Sequence, residues 1–228
     1  MKITLPPLLS FNAGYVDTAG FLALHGLFTA HVTGNFVTLG ASLVNGATGA
    51  IGKLLALPVF CAVIVVTRLA AYRLHRRGLP VLRTMLGLKF VLLCLGAALA
   101  IGLGPFADGD TWQALLTGMV LVSAMAIQNA AHRIHFGSAP PTTLMTGTTT
   151  QIMIDLADLI HGVPEEKRAA ARARMARLSI SVTAFALGCA MAALFYALFR
   201  ERCFLLAPVV ALFAPWTRTG ASEPDLAY

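Results

Sequence analysis

The chain has 228 residues, of which 57% are hydrophobic and only 12% are charged, and its formal net charge is +7. Soluble domains carry about 25% charged residues, so this composition excludes an ordinary water-soluble protein and favours apolar helices that cross a membrane. The basic residues cluster in loops between apolar segments, which indicates membrane orientation rather than nucleic-acid binding.

Eight apolar segments follow one another along the chain, and we predict that they form one membrane domain over residues 1–228. The segments are 7–28, 34–46, 54–75, 82–103, 112–136, 147–161, 178–199 and 203–216, and the polar tail 217–228 is predicted to be disordered. Asp17 and Asn12 interrupt the first segment, so we expect a retained span rather than a signal peptide. The four cysteines are scattered, which predicts packed thiols rather than disulfides or a zinc site.

The second and sixth segments are too short to cross the membrane as helices. Residues 34–44 would extend about 17 Å and residues 147–161 about 22 Å, against a hydrocarbon thickness of about 30 Å. Both begin with a Thr-Gly pair, and a threonine hydroxyl is a good cap for a helix start. We therefore predict two loops that dip into the membrane, each followed by a half-helix that returns to the same side.

The distribution of basic residues favours this re-entrant arrangement. If all eight segments crossed, the basic residues would be divided almost equally between the two sides. With two re-entrant segments, only Lys53, Arg200 and Arg202 of the 17 basic residues lie outside, which satisfies the positive-inside rule. The predicted fold is an all-α integral membrane protein with six transmembrane helices and two re-entrant half-helices. Its halves, about 7–103 and 112–216, would form an inverted 3+3 repeat with both termini in the cytoplasm.

The two half-helix N-termini are predicted to meet near the middle of the membrane. Their free N–H groups and partial positive charge suit a bound anion or polar solute. The alternative is that the two ends cap one another and form a structural plug. The predicted substrate-binding residues are Asp17, His31, Thr33, Gly34, Asn35, Gln128, Asn129, His132, Thr146, Gly147 and Thr148.

Several other polar residues have more than one interpretation. Asp17 could couple transport to a proton, bind a cationic substrate group, or hold backbone N–H groups of the first break. Asp155 and Asp158 could form a cation site with His161, although a solvated helix end is the simpler interpretation. Lys89 is expected to snorkel to the membrane surface, and residues 165–177 are expected to form an interfacial helix on anionic lipid.

The sequence contains no GxSxG, HExxH or comparable catalytic motif, so we expect neither an enzyme nor a bound cofactor or metal. The function that we predict is a small secondary transporter or channel-like permease for a small polar or anionic solute. A non-transporting scaffold or sensor is the alternative, and an intramembrane enzyme is a weaker one. The expected partners are the lipid bilayer and an unidentified small-molecule or ion substrate, but no nucleic acid, and the sequence leaves a homo-oligomer open.

The stretch AGYVDTAGFLALHGLFTAHVTGN, residues 13–35, resembles the YoaK-like family of bacterial membrane proteins. QNA at 128–130 and LMTG at 144–147 also resemble the family, whereas Val32 replaces the methionine of its pattern. The resemblance implies a six-helix protein of the bacterial cytoplasmic (inner) membrane, without an established substrate or reaction. The residues that match the first motif are Gly14, Asp17, Phe21, Phe28, Thr29, Ala30, His31, Thr33, Gly34 and Asn35.

Overall fold

The computed structural model of the protein describes residues 4–214 except 138, 144 and 163, and these residues form an all-α fold. The predicted disordered tail, 217–228, lies outside the described residues. The helices are α1 (Leu5–Ala23), α2 (Gly34–Asn45), α3 (Ala50–Arg76), α4 (Val81–Leu103), α5 (Trp112–His135), α6 (Met145–His161), α7 (Glu165–Phe199), the 3-10 helix η1 (Arg200–Leu205) and α8 (Leu206–Leu212).

Four helical stretches in the described part of the chain are long and apolar enough to cross a membrane. They are Ala50–Arg76, Val81–Leu103, Trp112–His135 and the run Glu165–Leu212, which joins α7, η1 and α8. The prediction of an all-α membrane protein is therefore confirmed at this level. The two short segments are also short helices, because α2 has 12 residues and α6 has 17.

Three predicted boundaries were wrong. The first apolar segment ends as a helix at Ala23, and a turn with positive φ at His25 and Gly26 follows instead of helix to residue 28. Residues 165–177 are the first part of the 35-residue α7 rather than a separate interfacial helix. The described part of the last segment consists of η1 and the seven-residue α8, because the chain turns at Arg200 with φ 50°.

Helices α1 and α5 lie at the centre of the bundle, and most of their residues are buried. Helix α1 packs against α7, η1 and α8, and α5 packs against α3 and α4. The short helices lie at the periphery, α2 against α3 and α6 against α7. The surrounding helices expose large apolar side chains, such as Val66 on α3 and Leu198 on α7, which is the surface that a lipid bilayer covers.

Helices α1 and α7 approach each other closely through two glycines. A Cβ at Gly188 would overlap the carbonyl oxygen of Phe11, and a Cβ at Gly14 would overlap that of Phe185. Membrane helices commonly pack through small residues in this way, because the backbones can then come into van der Waals contact. Of this pair, α7 also contributes Phe185 to the wall of the candidate site.

Buried polar side chains tie the helices together inside the bundle. The Tyr15 hydroxyl donates to the carbonyl of Cys203 at 2.7 Å, which holds η1 against α1. Lys89 is 1% exposed and its Nζ donates to Gln128 Oε1 at 2.5 Å, so the expectation that it snorkels was wrong. Packed thiols were also predicted too broadly, since Cys203 is buried but Cys61 and Cys94 are exposed.

Candidate functional site

The first break is the loop 24–33 between α1 and α2. It is held by the carboxylate of Asp17, which is 4% exposed. Its Oδ1 accepts hydrogen bonds from the backbone nitrogens of Thr29 and Ala30, each at 2.7 Å, and more weakly from His31 at 3.4 Å. A carboxyl oxygen can accept from several backbone donors that would otherwise lack partners inside a membrane. These contacts favour the third interpretation of Asp17, in which it holds the first break.

Asn35 closes the same loop from the other side. Its side-chain Oδ1 accepts from Phe28 N and its Nδ2 donates to Phe28 O, both at 2.8 Å. Gly34 N donates to His31 O at 2.9 Å, so α2 begins with a tight turn that satisfies its own first donors. Thr33 is exposed and makes no side-chain cap, so the predicted capping role of its hydroxyl was wrong.

Polar residues of α5 hold the loop before α6. Gln128 Nε2 donates to Thr142 Oγ1 at 3.2 Å and to the carbonyl oxygen of Leu9 on α1 at 3.0 Å. Next to it, Asn129 Oδ1 accepts from Thr143 Oγ1 at 2.7 Å. Each break is therefore fixed by an acidic or amide side chain of the long helix that precedes it.

A cavity of about 700 Å³ connects the two breaks. His31 from the first break reaches it, and the first turns of α6 form one of its walls. Helix α6 begins at Met145, so Thr146 and Gly147 lie inside its first turn rather than at its cap. The residues that line the cavity are His31, Ala139, Pro140, Pro141, Thr143, Met145, Thr146, Gly147, Thr148, Gln151, Arg174, Arg177, Leu178 and Phe185.

The charged wall of the cavity comes from α7. Arg174 donates from Nε and Nη2 to both carboxylate oxygens of Asp155, and Gln151 donates to Asp155 Oδ1 at 2.8 Å. The Arg174 guanidinium, with help from Gln151, holds the pKa of Asp155 below its ordinary value. The prediction of a solvated helix end was therefore wrong for Asp155, which is fully buried.

Arg177 lies one helical turn beyond Arg174 and also lines the cavity. It is exposed, and among the residues that the structure describes it has no hydrogen-bond or ion-pair partner. It also lines a smaller cavity with Thr4 and Pro7, beside the start of α1. Arg177 therefore lies between the larger cavity and the start of α1.

The loops at the other end of α1 are closely packed. His25 Nε2 lies 2.9 Å from Phe106 O, and its Nδ1 lies 3.1 Å from Thr48 Oγ1. Asp110 accepts from Gly49 N and Ile51 N at 2.9 and 2.8 Å, which caps the start of α3. Three loops are joined here, and this end of the bundle is closed by direct contacts.

The structure brings only some of the predicted site residues to the cavity. His31, Thr146, Gly147 and Thr148 line it, whereas Asp17, Asn35, Gln128 and Asn129 hold the loops behind it. Gly34 packs on the ring of Phe28, Thr33 faces outward, and His132 is buried beside Phe136 with 6.2 Å between the ring centroids.

Four polar wall residues, Thr143, Gln151, Arg174 and Arg177, were not among the predicted site residues. The spacing of Arg174 and Arg177 on one helix face was visible in the sequence, but their apposition to α6 depends on the tertiary fold.

Comparisons with known proteins agree with this membrane architecture. No solved structure matches the chain. The chain is 25% identical to UPF0700 transmembrane protein YoaK of Bacillus subtilis (strain 168) over 72% of its own length and 71% of that relative. A family model described as "Protein of unknown function (DUF1275)" matches residues 5–215. The resemblance to YoaK-like proteins is thus confirmed, and the chain belongs to the DUF1275 family of membrane proteins.

Proposed function

We propose that the protein is a small secondary transporter or channel-like permease for a small polar solute, which binds in the cavity between the two breaks. The observation that carries the proposal is the cavity itself, because it joins His31 of the first break to Thr146 and Gly147 of the second. Transporters commonly bind their substrates where two interrupted helices meet, at the interface of internal repeats.

The pattern of helix contacts supports an inverted repeat. Exchanging α1 with α5, α2 with α6, α3 with α7 and α4 with the η1–α8 segment maps the set of helix contacts onto itself. The α1–α7 contact becomes α5–α3, α2–α3 becomes α6–α7, and α4–α5 becomes α8–α1. We infer that the halves 7–103 and 112–216 are related by a pseudo-twofold axis, with α2 and α6 as the re-entrant half-helices.

The two ends of the bundle also differ in a way that supports alternating access. Arg174 and Arg177 line the cavity, and the positive-inside rule assigns the basic first part of α7 to the cytoplasm. At the opposite end, the contacts of His25 with Phe106 and Thr48 close the loops. We infer that this conformation is the cytoplasm-facing state of a transport cycle.

The proposal is tested with liposomes that contain the purified protein, by following volume changes with light scattering. The probes are glycerol, urea, glycine, potassium acetate and potassium phosphate, each with and without an imposed proton gradient. Gly147→Leu is the blocking variant, because a Cβ at Gly147 has no neighbour within 4 Å and a larger side chain there would enter the cavity. Gly40→Leu on α2 is the matched control, since its Cβ site is equally open and lies away from the cavity.

We expect at least one probe to equilibrate faster than in protein-free liposomes, and Gly147→Leu but not Gly40→Leu to remove the difference. The proposal fails if no probe moves faster, or if Gly147→Leu transports as well as the unmodified protein.

A non-transporting scaffold or sensor is the second candidate, and one observation favours it. Asp17 and Asn35 satisfy the first break from within the chain, so that break requires no ligand to be stable. A scaffold predicts no probe flux together with an unchanged melting temperature in Gly147→Leu. We assign no catalytic activity to the protein under either candidate.

A further inference from the structure

We propose that the cavity binds a small oxyanion, a carboxylate or a phosphate group, and that Arg177 is the residue that contacts it. This inference rests on the proposed function, because it names the class of solute that the cavity would take. The cavity wall carries positive side chains without matching negative ones.

The first step is that the cavity offers no negative charge to a cation. In the described part of the chain, its lining contains Arg174, Arg177 and His31 but neither aspartate nor glutamate. Asp155 is the nearest acid along α6, and both of its oxygens already accept hydrogen bonds from Arg174. A cationic solute would therefore meet only positive or neutral groups, and we exclude this class.

The second step separates the two arginines. Arg174 is held by Asp155, so its charge is largely balanced and its Nε and Nη2 donors are in use. Arg177 has no such partner among the described residues, and its side chain faces the same cavity. A guanidinium presents a planar fork of donors that matches a carboxylate or phosphate in two hydrogen bonds. Arg177 thus supplies the charge, while the Asp155–Arg174 pair keeps α6 in place opposite to it.

The third step concerns the rest of the wall. Gln151 and Thr146 bring amide and hydroxyl groups to the cavity. The start of α6 adds a partial positive charge beside them, which favours an anion without being sufficient on its own. A volume of about 700 Å³ accommodates a small organic anion, since ligand pockets commonly measure about 300–1,000 Å³.

The test measures binding separately from transport. Purified protein in nanodiscs of zwitterionic phosphatidylcholine is heated with sodium phosphate, sodium acetate or sodium citrate, against sodium chloride of equal ionic strength. We expect at least one oxyanion to raise the melting temperature, and Arg177→Gln to weaken its apparent affinity at least about tenfold. Arg177→Lys should retain part of the affinity. Arg172→Gln is the matched control, because Arg172 is an exposed arginine of α7 outside the cavity lining.

A second arm distinguishes a free anion from a lipid headgroup of the same chemistry. Nanodiscs that contain phosphatidylglycerol replace the soluble anions. Stabilisation that appears only with this lipid and is lost in Arg177→Gln supports the same site with a lipid as its ligand. Stabilisation that Arg177→Gln retains, or no stabilisation by either the soluble anions or phosphatidylglycerol, overturns the proposal.

The outcome is independent of the transport assay. Oxyanion binding without flux would preserve this inference and overturn the permease. Conversely, flux of glycerol or urea that Gly147→Leu blocks, together with no oxyanion binding, would preserve the permease and overturn this inference.

Discussion

Arg174 and Asp155 form an ion pair with two hydrogen bonds, Nε to Oδ2 at 2.9 Å and Nη2 to Oδ1 at 2.6 Å. The carboxylate is fully buried, whereas the side chain of Arg174 is 49% exposed. Among the described helices α6 packs only on α7. The Asp155–Arg174 pair joins these two helices and so helps to hold α6 in the cavity wall.

The pair should make stability depend on pH in the acidic range. The pKa of Asp155 lies below its ordinary value of about 3.9, because Arg174 stabilises the ionised form. A lowered folded-state pKa gives a contribution that is complete above the unfolded-state value and is lost as pH falls through the folded-state value. The melting-temperature difference between the protein and Asp155→Asn should be constant from about pH 7 to 5 and shrink below about pH 4. A difference that grows on acidification would contradict this assignment.

Removing the carboxylate of Asp17 should destabilise the protein severely. Asp17→Ala leaves the backbone nitrogens of Thr29 and Ala30 without their acceptor, and each unmet buried group costs about 1–3 kcal/mol. Asp17→Asn keeps an acceptor oxygen but loses the charge, so its melting temperature should lie between those of Asp17→Ala and the unmodified protein. Thermal unfolding in nanodiscs checks both variants. If Asp17→Asn keeps full stability and loses only flux, Asp17 belongs to the transport chemistry instead.

Substitutions of the two polar residues in Thr33-Gly34-Asn35 should differ sharply in their effect on stability. Asn35→Ala removes both hydrogen bonds to Phe28 and should lower the free energy of unfolding by about 2 kcal/mol or more. Thr33→Ala changes an exposed side chain that caps nothing, so its effect should stay within about 0.5 kcal/mol. Parallel melting curves of the two variants decide the matter. Equal losses would mean that Thr33 has a partner in the membrane-embedded protein.

Adding a single methyl group where α1 and α7 approach each other should lower the stability of the protein. Gly188→Ala places a Cβ against the carbonyl of Phe11 and should cost about 1–3 kcal/mol, because the two backbones must separate. Gly87→Ala on α4 is the control, since nothing lies within 4 Å of its Cβ site and alanine favours helix. We expect a lower melting temperature for the first variant and an unchanged or higher one for the second. A neutral Gly188→Ala would show that this contact is looser in the bilayer.

The inverted repeat predicts which segments outside the membrane lie on the same side of it. In a variant whose four cysteines are replaced by alanine, single cysteines are introduced at the exposed positions Leu79, Ala169 and Ala107. A membrane-impermeant maleimide should label Ala107→Cys in intact cells, and Leu79→Cys and Ala169→Cys only after lysis. Labelling of Leu79→Cys and Ala169→Cys from opposite sides would remove the repeat and the re-entrant assignment of α6.

Much of the fold could be predicted because it follows from local apolar runs and short-range signals. The limits of α4 and α5 agree with the apolar segments to within a residue, and the start of α2 at Gly34 was predicted from its Thr-Gly pair. The end of α7 at Phe199 also agrees with the predicted segment 178–199, whereas the continuity of residues 165–177 with α7 was missed. Alanine between basic residues allows either an interfacial helix or the extension of a span, and packing against α6 selects the second.

The candidate site was predicted less completely, because its residues come together only in the tertiary structure. Periodicity identified Gln128 and Asn129 as polar residues on an apolar helix but could not indicate that they face Thr142 and Thr143. Burial of Lys89 was likewise missed, because its partner Gln128 lies on the next helix. Sequence patterns locate polar groups at a membrane depth, whereas the direction in which each group points is set by helix rotation.

The length of α7 has a mechanical consequence. Its 35 residues make a rod of about 52 Å, well beyond the hydrocarbon thickness, and Gly188 touches α1 about 16 Å along the helix from Arg177. If the rod pivots at that glycine, a tilt of about 5° moves the helix at Arg177 through an arc of about 1.4 Å. A displacement of that size is enough to make or break a hydrogen bond, so the crossing point can act as a fulcrum whose stiffness sets how far the arginine end swings.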